Sequence, residues 1–176
     1  LVGSEMCIRD SFKPLSWIVK AYISIMRGTP LMLQLLLWYF GPFYLWGMNI
    51  GGYKFTAIIL GCSLNYAAYF AEIYRSGIES IPVGQYEAAQ LLGYTRVQTF
   101  FKIVLPQVVK IVLPSVTNEV ITLVKDTSLV YSVSYIEMFA VAKQIAAAQT
   151  TVVPFFIAGI FYYVFNYVVA LSLIHI

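Results

Sequence analysis

The chain has 176 residues, of which 60% are hydrophobic, 16% aromatic and only 11% charged. A water-solvated domain of this length would carry roughly a quarter charged residues, so such a fold is excluded and lipid must form part of the solvent. The net charge of +3 is scattered along the chain and makes no basic face for a nucleic-acid partner, and Cys7 and Cys62 are too few for a metal site or disulfide framework.

The first ten residues hold Glu5, Arg9 and Asp10 and lack the basic start and apolar run of a cleavable signal. Residues 4–11 and 171–176 resemble translated sequencing-adapter sequence. Residues 1–11 and 171–176 are therefore expected to be non-native, which leaves His175 without a task and confines fold reasoning to 12–170.

Residues 28–53 carry no charge, and 31–47 are long enough to cross a hydrocarbon layer of about 30 Å as a helix. Gly41-Pro42 would kink this first span or mark its outer end, and Trp38, Tyr39, Tyr44 and Trp46 could form an interfacial belt. Residues 48–54 read as a short turn. A second span follows over 55–74, ending in Glu72-Ile73-Tyr74-Arg75, whose first and last members are spaced to pair on one helical face.

Residues 75–110 are the least hydrophobic long stretch. A third span over 107–124 is interrupted by Pro114, Asn118 and Glu119, which predicts a kinked or protein-lined helix. Residues 136–145 read as an amphipathic helix against the bundle or at an interface, and 152–170 form the last, wholly uncharged span. An all-α polytopic membrane protein results. Lys13, Lys20, Arg27, Arg75, Arg96, Lys102 and Lys110 fall on one side and Lys54, Lys125 and Lys143 on the other, so the loop over 75–110 is expected to be cytoplasmic.

Within that loop, Pro82 can occupy the first turn of a helix and Gly93 can end it in the left-handed conformation. Thr95-Arg96-Val97-Gln98 fits a capping box that opens a second helix, closed by Pro106. Val97, Phe100, Phe101, Val104 and Leu105 recur at helical spacing, so one face of it is apolar. Two short helices at a sharp angle, rich in apolar and aromatic residues, suit either a docking element for a soluble partner or a hairpin packed on its own membrane domain.

Glu87-Ala88-Ala89, then Gly93, then Ile103-Val104-Leu105-Pro106, resemble the EAA motif of ABC importer permeases. Arg27-Gly28-Thr29-Pro30-Leu31, Ala67-Ala68-Tyr69 with Glu72-Ile73-Tyr74-Arg75, Ile81-Pro82-Val83-Gly84-Gln85, and Lys125-Asp126-Thr127-Ser128-Leu129 resemble the polar amino-acid uptake branch of that superfamily. The resemblance implies a type I importer permease-like helical bundle over 12–170, with a coupling-helix hairpin at about 75–106 that works through Glu87, Ala88, Ala89, Gly93, Leu105 and Pro106. Typical members begin with another transmembrane helix and end in a basic tail, so it also implies a partial permease domain.

The same resemblance implies a second permease subunit, identical or not, in a bacterial inner membrane, and an extracytoplasmic solute-binding protein that delivers the amino acid. It implies a cytoplasmic ABC ATPase dimer that holds ATP-Mg, so this chain itself binds no cofactor. Ala88 and Ala89 would let the helix approach a groove on the ATPase, Glu87 would meet a basic or donor group there, and Gly93 would provide the bend. No Walker-type lysine loop or nucleophile-base pair is present in the chain, which reads as a transport component and not an enzyme.

Ionisable groups at membrane depth usually face a protein interior or a pathway. Glu119 with Asn118, and Glu72 with Asn65, are therefore the candidate pathway residues, since a carboxylate can bind the ammonium of a zwitterionic amino acid. Glu72 is read either this way or as the partner of Arg75. Lys125 and Asp126 read as securing a helix end or a subunit contact. A secondary amino-acid transporter or channel would share the hydropathy profile, but its mechanism has no use for a docking hairpin.

Overall fold

The computed structural model describes residues 13–47 and 52–174. The expectations for residues 1–11, for 175–176 and for the turn across 48–51 lie outside the described residues. Among the described residues seven helices follow in order: α1 (Lys13–Gly28), α2 (Leu31–Trp46), α3 (Lys54–Glu79), α4 (Val83–Leu91), α5 (Arg96–Val133), α6 (Met138–Gln149) and α7 (Val153–Ile174). Among the described residues there is no strand. α3, α5 and α7 are long and apolar enough to span a membrane.

Three expectations need correction. α1 was not foreseen, because Lys13, Lys20 and Arg27 break the uncharged runs by which spans were recognised. α2 has 16 residues and reaches only about 24 Å, short of a full hydrocarbon layer. It also runs through Pro42 and ends at Gly47, which takes the left-handed conformation at φ 64°. Pro106, finally, does not close a helix. α5 continues past it, α-helical over Arg96–Thr99, π-helical over Phe100–Val104, α-helical over Leu105–Asp126 and 3₁₀ over Thr127–Val133. The wider π turn accommodates a proline that has no N–H to give, and the Leu105 N–H bonds instead to the Phe100 carbonyl.

The chain forms two compact units, one ending at Tyr69 and the other beginning at Phe70. In the first, Leu31, Leu35, Tyr39, Ala57, Tyr66 and Ala68 are buried together with two polar side chains, Gln34 and Asn65. Pro30, with no N–H of its own, leaves the α1–α2 junction with carbonyls that need donors. Gln34 Nε2 donates to the carbonyls of Met26 (3.0 Å) and Thr29 (3.2 Å) and to Thr29 Oγ1 (2.6 Å). Asn65 Nδ2 donates to Met26 O (3.1 Å) and Gln34 Oε1 (3.0 Å), so the junction is closed from α3. A Cβ on Gly61 would lie 2.9 Å from Leu35 Cδ2, and this close approach brings α3 onto α2.

In the second unit Ile81, Val104, Val108 and Val112 form a buried apolar cluster, flanked by Ile73, Ile78, Tyr86 and Val116. Gly77 permits the crossing of α3 and α5, since a Cβ there would meet Val112 Cγ1 at 2.2 Å. α7 packs on the Leu105–Asp126 part of α5 and on α6. Its remaining surface is apolar and open, with Phe156, Ile160 and Tyr163 among the exposed side chains, as a lipid-facing helix requires. Where α5 tightens to 3₁₀, the hydroxyls of Thr127 and Ser128 donate to the carbonyls of Val124 (2.6 Å) and Lys125 (2.8 Å). Lys125 and Asp126 thus stand at a change of helix type. α6 starts two residues later than the amphipathic pattern predicts, because Glu137 caps it: its two carboxylate oxygens each accept a backbone N–H at 2.6 Å, from Phe139 and Ala140.

Candidate functional site

The hairpin between α3 and α5 is built from local signals. Pro82 flanks α4 as its N-cap at φ −58°, ψ 137°, one residue before the position expected for it. At the other end Gly93 has φ 77°, a conformation open to glycine and costly to other residues. The N–H of Tyr94 bonds to Ala89 O and that of Gly93 to Gln90 O, both at 3.0 Å, which is the Schellman arrangement. Two residues on, Thr95 Oγ1 accepts the Gln98 N–H (3.3 Å) while Gln98 Oε1 accepts the Thr95 N–H (3.0 Å), the reciprocal capping box. The bend therefore follows from residues between Ala89 and Gln98, each bond in it spanning five positions or fewer.

The helix divides cleanly by face. Ala89 is buried against the chain itself, and Gln85 and Tyr86 are half-buried on the same side. Glu87, Ala88 and Leu91 point outward. This corrects the expectation that Ala88 and Ala89 both serve close approach to a partner: Ala88 is open, whereas Ala89 lets α4 lie against its own membrane domain. Val104, expected on the apolar face of the second helix, is fully buried in the cluster with Ile81. Leu105 is half-buried and Pro106 exposed.

The tip carries an uncovered apolar surface. Leu91 is 90% exposed and Leu92 75%, with Val97 and Phe101 also open. A cluster of open apolar side chains of this kind marks an interaction surface. Lys102 lies over the Tyr94 ring at 5.8 Å from its centroid, and Phe100 and Phe101 meet edge to face at 5.3 Å.

The four pathway candidates are placed differently. Asn65 is buried and spends its amide on Met26 and Gln34, a fastening the sequence reading missed because its partner lies 31 residues away. Glu72 meets Arg75, whose Nε lies 3.1 Å from Glu72 Oε2 and whose Nη2 contacts Glu72 Oε1. Arg75 Nη1 also bonds both carboxylate oxygens of Glu79, at 3.0 and 2.9 Å, so one guanidinium bridges two acids along α3. Of the two readings of Glu72, the geometry favours the ion pair. Asn118 is exposed on α5 and Glu119 half-buried beside it. Among the described residues no group of three or more His, Cys, Asp or Glu side chains is arranged to hold a metal ion.

A hairpin of this form on a bundle of apolar helices has close relatives. Residues 2–175 match the family described as the binding-protein-dependent transport system inner membrane component, and the chain belongs to that family. It is 41% identical over 161 residues to the arginine transport system permease protein ArtQ of Bacillus subtilis, covering 91% of this chain and 73% of that protein. It is 39% identical to the L-cystine transport system permease protein TcyB of the same organism, covering 77% of this chain and 56% of the relative. The octopine transport system permease protein OccM of Rhizobium radiobacter is also 39% identical, over 85% of this chain and 64% of its own length. The chain thus spans between about half and three quarters of these relatives. A solved chain from an amino acid ABC transporter, crystallised with histidines, superposes with a TM-score of 0.81 at 35% identity, covering 93% of this chain and 75% of that one. The fold is that of an ABC transporter permease.

Proposed function

We propose that this chain is the transmembrane permease subunit of an ATP-driven importer of polar amino acids, in a bacterial inner membrane with the hairpin on the cytoplasmic side. One observation carries the reading. α4 is bent back at Gly93 and seated on the chain through Ala89, yet it leaves Glu87, Ala88, Leu91 and Leu92 uncovered outside the spans. That surface suits a groove on a cytoplasmic ABC ATPase dimer, which would hold ATP-Mg and hydrolyse it. A second permease subunit, identical or not, would complete the pathway, and an extracytoplasmic solute-binding protein would deliver the substrate. The relatives' names, which speak of arginine, cystine and octopine, support an amino-acid substrate.

For the pathway, Glu119 with Asn118 is the pair we favour, a half-buried carboxylate on a helix long and apolar enough to span, where a substrate ammonium could be bound. The test is reconstitution in lipid vesicles of the full-length permease with the ATPase and binding protein encoded beside it. ATP-dependent uptake of a labelled amino acid, abolished by an inactive ATPase, is expected. Uptake driven by an ion gradient with no ATPase present would instead make the chain a secondary transporter.

A further inference from the structure

Besides the chain links at either end of α4, side-chain contacts join α4 to α5 and can carry motion of the hairpin into the bundle. One set is apolar: Tyr86 packs on the cluster of Ile81, Val104, Val108 and Val112. Apolar contacts are non-directional and do not by themselves fix one register between two helices. The other set is directional. Gln85 Nε2 donates to Gln107 Oε1 at 2.9 Å, and Gln107 Nε2 donates back to Gln85 Oε1 at 2.5 Å, so the two amides form a closed pair. The remaining hydrogen on Gln107 Nε2 goes to the Ile103 carbonyl at 2.8 Å.

The location of this pair matters. Gln107 directly follows Pro106, and Ile103 lies within the π turn over Phe100–Val104, where α5 has lost its regular ladder. A π turn beside a proline is the most deformable stretch of a long helix, and such turns cluster at functional positions. A load arriving through the bend at Gly93 and Thr95 would be absorbed there. The amide pair bypasses the turn by tying α4 directly to the first regular residues beyond it, while the third bond braces the turn from inside.

We propose that Gln85 and Gln107 are positioning residues that transmit movement of α4 to the membrane-spanning part of α5, so that ATP turnover is converted into transport. Neither side chain touches substrate or nucleotide in this scheme. The inference rests on the importer reading above and deepens it. It predicts a specific defect: the pair can be lost while the spans, the bend and the docking surface survive, because none of Glu87, Ala88, Gly93 or Leu91 depends on it.

The experiment measures substrate imported per ATP hydrolysed, using the full-length importer with its ATPase and binding protein in lipid vesicles. Parent, Gln85→Leu, Gln107→Leu and the double variant are compared. Each single substitution is expected to leave co-purification of the ATPase and its turnover in place while the ratio falls by about tenfold, the scale of one or two lost hydrogen bonds. The double variant should fall no further, since both residues act through one contact. Gln85→Glu combined with Gln107→Lys, which substitutes an ion pair for the amide pair, should restore most of the ratio. An unchanged ratio in both single variants, additive losses in the double, or loss of ATPase binding in either would overturn the proposal. A parent that shows no ATP-driven uptake would remove the importer reading itself, an outcome distinct from a coupled parent with equally coupled variants.

Discussion

Gly93→Val is the perturbation that bears most directly on the hairpin. Gly93 sits at φ 77°, and a Cβ built there would meet nothing within 4 Å, so the cost of a side chain is backbone strain alone. For an L-residue the left-handed conformation costs about 1–2 kcal/mol, and a β-branched residue stands at the upper end. If the bend opens to relieve that strain, the Tyr94-to-Ala89 and Gly93-to-Gln90 hydrogen bonds are lost, at about 1 kcal/mol net each. Strain and hydrogen bonds are therefore matched, and the bent state should lose a factor of about 5–30 relative to alternatives. Asparagine tolerates this conformation better, so the series Gly93→Asn, Gly93→Ala, Gly93→Val should show increasing loss of ATPase co-purification and of substrate-stimulated ATP turnover. Membrane insertion should be unchanged throughout, because it depends on the apolar lengths of α3, α5 and α7. Normal complex formation and normal coupled turnover in the valine variant would refute the claim that this bend builds the docking surface.

Gly77→Ala should destabilise the second unit by about 1–3 kcal/mol, because its Cβ cannot share space with Val112 Cγ1; Gly77→Ala with Val112→Ala should recover most of the loss in a thermal melt of the detergent-solubilised protein. Asn65→Leu should cost about 1–3 kcal/mol by leaving Gln34 Oε1 and the Met26 carbonyl short of a donor, and a second change, Gln34→Leu, should add less than its own single effect in the same melt. Glu119→Gln keeps the side-chain shape and removes the charge, so uptake should fall while assembly with the ATPase is retained; unchanged uptake would return Glu119 to a structural role.

Much of the hairpin was legible because its signals are short-range. A left-handed glycine after α4 and a Thr/Gln pair three residues apart each act through hydrogen bonds between near neighbours, so spacing alone specifies them. The pairing of Glu72 with Arg75 is equally local. α1 escaped notice because its apolar face is interrupted by charges on the other, a pattern that a search for uncharged runs passes over. Pro106 breaks the expected pattern for a related reason: proline ends helices in isolation, but a π turn in which Leu105 N–H reaches Phe100 O and the Gln107 side chain of the same helix donates to Ile103 O gives the carbonyls another route.

Composition and hydropathy by themselves determined that the chain is helical and needs lipid, because backbone groups in hydrocarbon must be satisfied within each segment. Motif spacing determined where the bend at Gly93 falls. Only the tertiary structure decided that Ala89 faces inward while Ala88 faces out, that Asn65 closes the α1–α2 junction, and that Gln85 finds Gln107 across 22 positions. Those outcomes depend on which helix faces meet and at what register, and a crossing such as that at Gly77 is set by packing between distant segments, which no local periodicity encodes.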